Sequence, residues 1–440
     1  MAQFGSASAL GAEGRGFESL TPDQKLFFPP AKRKNKAFVM KKSMPALPDT
    51  FPQPENSGRP DILIVAGEHS GDELAAKVIR DLLRDNPGLK IAAFGGNDMR
   101  RAGAQLLFDM TTFSAVGLIE VVSNLSFYSA LFKKMLAWIR THRPRAVCFV
   151  DFPGMNLRLA KAMKKEGLSR KGGGDIAVYH YVSPQIWAWK AHRRFEMEKV
   201  LDSLGVLFPF ELKCYEDTQL DVHFVGDPFA APDHRLPVKY DANGPVLLLP
   251  GSRPKPVARI FPVLLESWKR FRATHPDKKA VVLHPGEPVL GILRELMAAD
   301  PQAAEGIELV PVDDVENDAQ AASAVLMSSG TMSRTCSLAG IPGAILYLAN
   351  ALTWAVGRLL VGDKVRYLGM ANILLDRDVY PEYLQKDATP EKLSARLCEC
   401  FDNPAILAEM QKDCAELHAL LHPRENALNA ARWLARSLEK

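Results

Sequence analysis

Val147-Cys148-Phe149-Val150-Asp151-Phe152-Pro153-Gly154-Met155-Asn156 is the stretch on which the reading of the fold turns. Its four leading apolar residues read as a buried strand, and Pro153-Gly154 turns the backbone straight after it, so Asp151 falls at a strand's C-terminal end. Open parallel sheets bind their ligands at that end. A carboxylate placed there can be a general base, a hydrogen-bond acceptor for a substrate, or the N-cap of the helix that Asn156 onward begins.

Working outward, Asp61-Ile62-Leu63-Ile64-Val65-Ala66 is a second buried strand, and it runs through Gly67-Glu68-His69-Ser70-Gly71-Asp72 into a helix that extends to Leu82-Leu83. A strand, a glycine-flanked turn and a helix N-terminus form the first unit of a Rossmann-like half, where backbone can approach an anionic or polyhydroxyl ligand. Ile91 to Gly96 and Ala177 to Tyr181 supply further strands, and helical segments separate them. Between them Tyr128, Leu131, Phe132, Met135, Leu136 and Ile139 recur at helical spacing, a core-facing pattern, with Phe127 and Trp138 left over as a candidate lipid-facing surface. Val225-Gly226-Asp227-Pro228 closes the first half, and a Pro-rich linker leads to Pro237.

A second βα array starts at Val246-Leu247-Leu248-Leu249 and turns at Pro250-Gly251-Ser252-Arg253. Strands are expected at Ala280–Leu283, Glu308–Val310, Ala324–Met327 and Ala344–Tyr347. Ser328-Ser329-Gly330-Thr331 opens a helix whose free N–H groups and hydroxyls suit a phosphate, with Arg253 as the opposing cation. Ordinary helix capping by Ser and Thr accounts for the same residues equally well. From Pro390 to Lys440 the pattern is helical, with Ala427, Leu428, Ala431, Trp433, Leu434 and Leu438 as an apolar face.

At 440 residues the chain is long enough for two or three domains. The boundaries expected are an extension over 1–59, an N-terminal Rossmann-like domain over 60–230, a C-terminal one over 231–412, and helices over 413–440 that return to the N-terminal domain. Lys and Arg number 55 against 51 Asp and Glu, a net charge of +4 that gives no case for nucleic acid. The six cysteines are scattered, and Cys398 and Cys400 have one residue between them, not the two of a zinc or redox motif, which fits a reducing cytoplasm. Ile345 to Val361, the most apolar long stretch, is interrupted by Asn350 and Arg358 and falls short of a membrane span. Residues 1–59 mix Gly, Ser and Pro with the basic run Lys32-Arg33-Lys34-Asn35-Lys36 and read as a disordered extension.

Several of these stretches resemble one family. Ala66-Gly67-Glu68-His69-Ser70-Gly71-Asp72 is similar to A-G-E-x-S-G-D, and Gly117 to Val122 to G-x-x-E-V-L. Tyr181 to Trp189 resembles Y-V-S-P-S-V-W-A-W, Met370-Ala371-Asn372-Ile373-Leu374 stands for L-P-N-I-L, and Pro381 to Gln385 for P-E-L-L-Q. With Phe208-Pro209-Phe210-Glu211, Leu249 to Arg253 and Ser329-Gly330-Thr331, these motifs are those of lipid-A-disaccharide synthase, and they run from about Ile62 to Gln385.

The resemblance implies an α/β fold of GT-B architecture, two Rossmann-like domains facing each other across a cleft, and an inverting glycosyltransferase. It would join UDP-2,3-diacylglucosamine to 2,3-diacylglucosamine 1-phosphate, giving the β-1,6 disaccharide and UDP with no cofactor and no metal. Asp151 matches the first Asp of D-x-P-D-F-N and would be the base on the acceptor's 6-hydroxyl. Glu68, Ser70 and Asn372 would hold sugar hydroxyls, while Gly251, Ser252, Arg253, Ser329, Gly330 and Thr331 would hold the nucleotide phosphates. Acylated substrates imply a peripheral position on the cytoplasmic face of the membrane, with Phe127–Arg140 and Thr353–Arg366, including Leu359 and Leu360, as contact stretches. A homodimer is an assembly the sequence permits.

Five positions depart from the family pattern. Gly154 replaces its second Asp, Asp227 the His of G-H-P, Thr335 the Glu that commonly holds the ribose, and Leu348 a basic residue; the acidic residue after Gly-Ser-Arg is missing. Two other readings therefore stand beside the first, a GT-B relative with another nucleotide sugar and a non-catalytic paralogue acting as a lipid-binding or regulatory protein.

Overall fold

The computed structural model describes residues 47–55, 58–111, 125–231, 234–312, 315, 318–350, 354, 365–422 and 428–439. The Gly117–Val122 motif, Leu359, Leu360 and most of the Thr353–Arg366 stretch lie outside them.

Seven parallel strands make the first sheet: β1 (Ile62–Ala66), β2 (Ile91–Gly95), β3 (Gln105–Asp109), β4 (Ala146–Val150), β5 (Ala177–Tyr181), β6 (Ser203–Val206) and β7 (Asp221–Phe224), in the order β3-β2-β1-β4-β5-β6-β7. The helices between them are α1 (His69–Asp85), α2 (Asn97–Arg101), α3 (Leu125–His142), α4 (Pro153–Lys165) and α5 (Arg193–Glu198). β1, β2, β4 and β5 are buried along their whole length, which is why they read as unbroken apolar runs. Ile62, Ile64 and Ala66 face one core and Leu63 and Val65 the other, as the two-residue period of a strand requires.

After a short parallel pair, β8 (Val238–Tyr240) with β12 (Gln320–Ala322), the second sheet uses β9 (Val246–Leu249), β10 (Ala280–His284), β11 (Ile307–Pro311), β13 (Ala324–Ser328), β14 (Gly343–Tyr347) and β15 (Glu382–Leu384). Their order is β11-β10-β9-β13-β14-β15, all parallel. The remaining helices are α6 (Pro254–Arg272), α7 (Val289–Ala299), α8 (Thr331–Leu338), α9 (Met370–Leu375), α10 (Pro390–Asp402), α11 (Pro404–Leu421) and α12 (Ala430–Ala435).

Strand order reverses between β1 and β4 in the first sheet and between β9 and β13 in the second. Such a switch point leaves a crevice at the strands' carboxyl ends, because the flanking connections leave in opposite directions. Asp151 and Glu68 follow β4 and β1; Arg253 and Gly330 follow β9 and β13.

Three expectations change. The extension does not reach residue 59 as a detached tail: Phe51 is buried with its ring edge-on to Phe94 (4.8 Å), and Gln53 O accepts a hydrogen bond from Gln105 Nε2. An aromatic side chain has found a slot between β2 and α3. Trp138, offered above as lipid-facing, is buried under the same segment and donates from Nε1 to Pro52 O at 2.9 Å. The expected boundary at 413 falls inside α11, whose His418 ring nitrogens face Leu338 O (2.9 Å) of the second half and Ala230 O (3.3 Å) of the first, and whose Leu421 O accepts from Asp227 N (3.0 Å), so this one helix touches both halves. Past that point Trp433 seats against Tyr179 and Tyr181 of β5 and donates to Ser203 Oγ at 2.9 Å.

Candidate active site

Asp151 and Phe152 both adopt left-handed backbone, with φ of 45° and 46°. Two adjacent non-glycine residues in that region store strain, so something must hold them. Asn156 does: fully buried, it donates from Nδ2 to Asp151 O (2.7 Å) and Val150 O (3.3 Å), while Asp151 N donates to Tyr181 O (2.9 Å). The helix begins at Pro153 with Phe152 as N-cap, which removes the capping role from Asp151. Phe152 then lies on Gly67; a Cβ at that glycine would stand 2.4 Å from its ring. The ring and the glycine thus lock the ends of β4 and β1 together, and Glu68 is held near Asp151.

Removal of water pushes the Asp151 carboxyl above its ordinary value, against a hydrogen bond from the Phe152 backbone that lowers it. Glu68 is also raised, first by lost hydration, although part of the residue is exposed, then by the Asp151 charge, while Arg253 pulls it down. Glu68 therefore feels one group from each half. Arg253 is exposed at the start of α6, and among the described residues its guanidinium has no hydrogen-bond or ion-pair partner.

Gly251 (φ 106°) turns so tightly beside β13 that a Cβ there would stand 3.1 Å from Ser328 Oγ, which brings the two loops of the second half together. Gly330 has open space in front of it, at the N-terminus of α8, where the first-turn N–H groups lack intrahelical acceptors. Ser252 and Thr331 are exposed beside it, whereas Ser329 is committed to Leu368 O (3.1 Å). Ser70 stands half-buried in the first turn of α1.

Asn372 does not line the cleft. It is fully buried, its Nδ2 donates to Tyr380 O (2.7 Å) and Glu382 Oε1 (2.9 Å), and its Oδ1 accepts from Tyr380 N (2.9 Å), so no amide group is left for a sugar. Glu382 also accepts from Gly369 N and Leu368 N, fastening the start of α9. The two motifs around Asn372 and Glu382 are thus one structural clamp. Asp72 plays the same part in the first half, accepting from the backbone of Gly96, Asp98 and Met99. His69, Asp72 and Asp98 offer ligand atoms within 4.8 Å of one another, but Asp72 spends its oxygens on those N–H groups.

Thr335, where the family pattern has Glu, is buried with its hydroxyl directed to Thr331 O (3.3 Å). At the end of β14 Leu348 carries no charge, yet Arg259 Nη1 donates to its carbonyl at 3.2 Å, so a guanidinium from α6 stands there. Sequence reasoning passed over Arg259; its place five to six residues past the Gly-Ser-Arg turn, one and a half helical turns on, was the available signal.

Below the loop after β5, Glu211 is buried, accepts from Phe208 N (3.1 Å), and is pushed up to about 8 by burial, with the Phe208, Leu207 and Ser183 hydrogen bonds opposing. The folded state keeps this proton up to about pH 8, whereas the unfolded chain releases it near 4.5. The stability it confers is complete below 4.5 and gone above 8. Glu211→Gln is expected to flatten the fall in urea midpoint between pH 5 and pH 8; an unchanged slope would assign that fall to other groups.

Two parallel-sheet domains, each with a switch point at its strands' carboxyl ends, define the class, the GT-B fold. The glycosyltransferase of kitacinnamycin superposes with a TM-score of 0.56 at 16% identity, covering 86% of this chain and 100% of its own. CalG4, the calicheamicin glycosyltransferase, gives 0.51 at 12% identity, covering 87% and 99%. The lipid-A-disaccharide synthetase family profile matches residues 62–435, and the chain belongs to that family. The lipid-A-disaccharide synthase of Nitrosococcus oceani is 35% identical over 353 residues, 77% of this chain and 86% of its own. That of Anaeromyxobacter dehalogenans is 35% identical over 389 residues, 84% and 97%.

Proposed function

We propose that the protein transfers the 2,3-diacylglucosamine unit of its UDP-linked form to 2,3-diacylglucosamine 1-phosphate. What supports this reading is the placing of two carboxylates, Glu68 and Asp151, after the paired strands β1 and β4, with the exposed Arg253, unpaired among the described residues, after β9 of the second half. Asp151 takes the proton of the acceptor's 6-hydroxyl, that oxygen attacks the anomeric carbon from the face opposite UDP, and the anomeric C–O bond to UDP breaks. UDP leaves with the bonding electrons, and its growing charge is met by Arg253 and the N-terminus of α8. Glu68 and Ser70 hold the sugar hydroxyls, and Gly251, Ser252, Gly330 and Thr331 give the phosphates backbone and hydroxyl donors. Substrates with acyl chains place the enzyme peripherally on the cytoplasmic face of the membrane; among the described residues no helix is long and apolar enough to cross one.

UDP is expected to bind the purified protein, and UDP release to require both lipid substrates together. Arg253→Gln should weaken UDP binding about ten- to a hundredfold, the worth of one charge-assisted hydrogen bond. Absence of UDP binding at saturating nucleotide would sink the proposal and point to another nucleotide or to a binding protein.

A further inference from the structure

Trp189, Phe195 and Leu212 are the large apolar side chains left exposed among the described residues, at 40%, 39% and 38%. All three come from two adjoining segments, the run from the end of β5 through α5 and the 3-10 turn Pro209–Tyr215. Trp187 meets Phe210 edge to face at 5.7 Å, and Arg194 grips Asp217 through Nε (2.7 Å) and Nη2 (2.6 Å), which makes the two segments one rigid platform. Cations lie on the aromatic faces: Lys190 Nζ is 4.3 Å and Arg193 5.6 Å from the Trp189 ring, and Arg194 is 4.3 Å from that of Phe195.

Most of the nearby carboxylates are already engaged, the exposed Glu216 being free among the described residues. Asp217 is paired with Arg194 and Glu196 with Lys161 (2.8 Å), while Glu198 accepts from Gln219 N. Lys190 and Arg193 form no ion pair among the described residues, and the exposed Lys213 follows Leu212 directly. An indole, a phenyl ring and a leucyl group set beside Lys190, Arg193 and Lys213, cations that outnumber the free carboxylate Glu216, match an anionic bilayer surface: the rings settle at headgroup depth and the cations meet phosphates. Apolar side chains scattered singly need no partner, whereas three gathered on one platform mark an interaction surface. The platform also springs from the carboxyl end of β5, the strand next to Asp151, so a bilayer held there lies beside the cleft.

We infer that Trp189, Phe195 and Leu212, with Lys190 and Arg193, are the surface by which this protein sits on anionic lipid bilayers. The inference rests on the reading of an enzyme with acylated substrates and gives that reading a specific contact face. It replaces the Phe127–Arg140 stretch, whose Leu131, Met135, Leu136, Trp138 and Ile139 are buried.

Co-sedimentation of the full chain with substrate-free vesicles tests it, using phosphatidylcholine alone or mixed with phosphatidylglycerol. The wild type is expected to favour the mixed vesicles. Lys190→Gln with Arg193→Gln should lower partitioning to mixed vesicles about thirtyfold, given about 1 kcal/mol for each of the two cations at an anionic surface. Trp189→Glu with Phe195→Glu should lower it to both kinds. Thermal melting of each variant must match the wild type, and a variant that fails this is replaced by its single substitutions. A wild type that does not bind, or either double variant binding as the wild type does, overturns the inference. UDP release in detergent, with no bilayer present, reports separately on the reaction, so loss of one leaves the other legible.

Discussion

Asp151→Asn is expected to lower the turnover of UDP release by about a hundred- to ten-thousandfold, the usual contribution of a positioned base. The substitution is close to isosteric, and Asn is, with Asp, among the few side chains that tolerate the left-handed backbone at φ 45°. The Asn156 clamp and the contact of Phe152 with Gly67 should therefore survive, and UDP should bind as before. Only the site for the proton is gone. On the proposed mechanism the base works as an anion, so activity should fall as pH drops through the raised Asp151 pKa, and the acid limb of kcat/KM should lie above the ordinary carboxylate value of 3.8. A variant that keeps the wild-type rate would move the base to another group, Glu68 being the first to test because its carboxyl is raised as well.

Arg334→Met is expected to destabilise the fold by about 3–5 kcal/mol, because it strands a buried carboxylate. Asp227 is fully buried, with Oδ2 3.0 Å from Arg334 Nη1, and Oδ1 accepting from Phe229 N at 3.0 Å. The guanidinium also lies 4.6 Å from the centre of the Phe229 ring. Adding Asp227→Asn should recover part of the loss, since the amide oxygen can still accept from Phe229 N with no charge left unpaired. Urea unfolding of the two single variants and the double gives the coupling directly. A coupling below about 0.5 kcal/mol would mean that the two side chains act independently. The pair joins α8 of the second half to the turn after β7 of the first, so a residue that departs from the family's G-H-P is accounted for by a neighbour in the other domain.

Where the sequence could be read, burial on both faces made it readable. β1, β4 and β5 are apolar throughout because both faces of the sheet are covered, and Asp151 and Arg253 stood out as charges directly after such runs. β6 was invisible although it is buried along its whole length, because a serine and a glycine interrupt its apolar run. Its Ser203 and Gly205 suit Trp433, whose Nε1 donates to one and whose ring leaves a Cβ on the other only 3.1 Å of room. A residue chosen by a distant partner carries no local signal. Asn372 misled in a different way: its motif places it beside the cleft, but the type of residue cannot say whether Tyr380 and Glu382 have already taken its amide. Phe152 gave no signal either, since its part is to fill the space over Gly67.

The seat of Trp433 on β5 and β6 also sets an order of events during synthesis. Its partner Ser203 precedes it by 230 residues, so the whole second half must be made before this face of the first can close. On a ribosome adding about 5–20 residues per second, the Tyr179–Tyr181 seam stays open for roughly ten to fifty seconds. The first half thus emerges from the tunnel with an unfinished hydrophobic surface, and it is Trp433 of α12 that covers it.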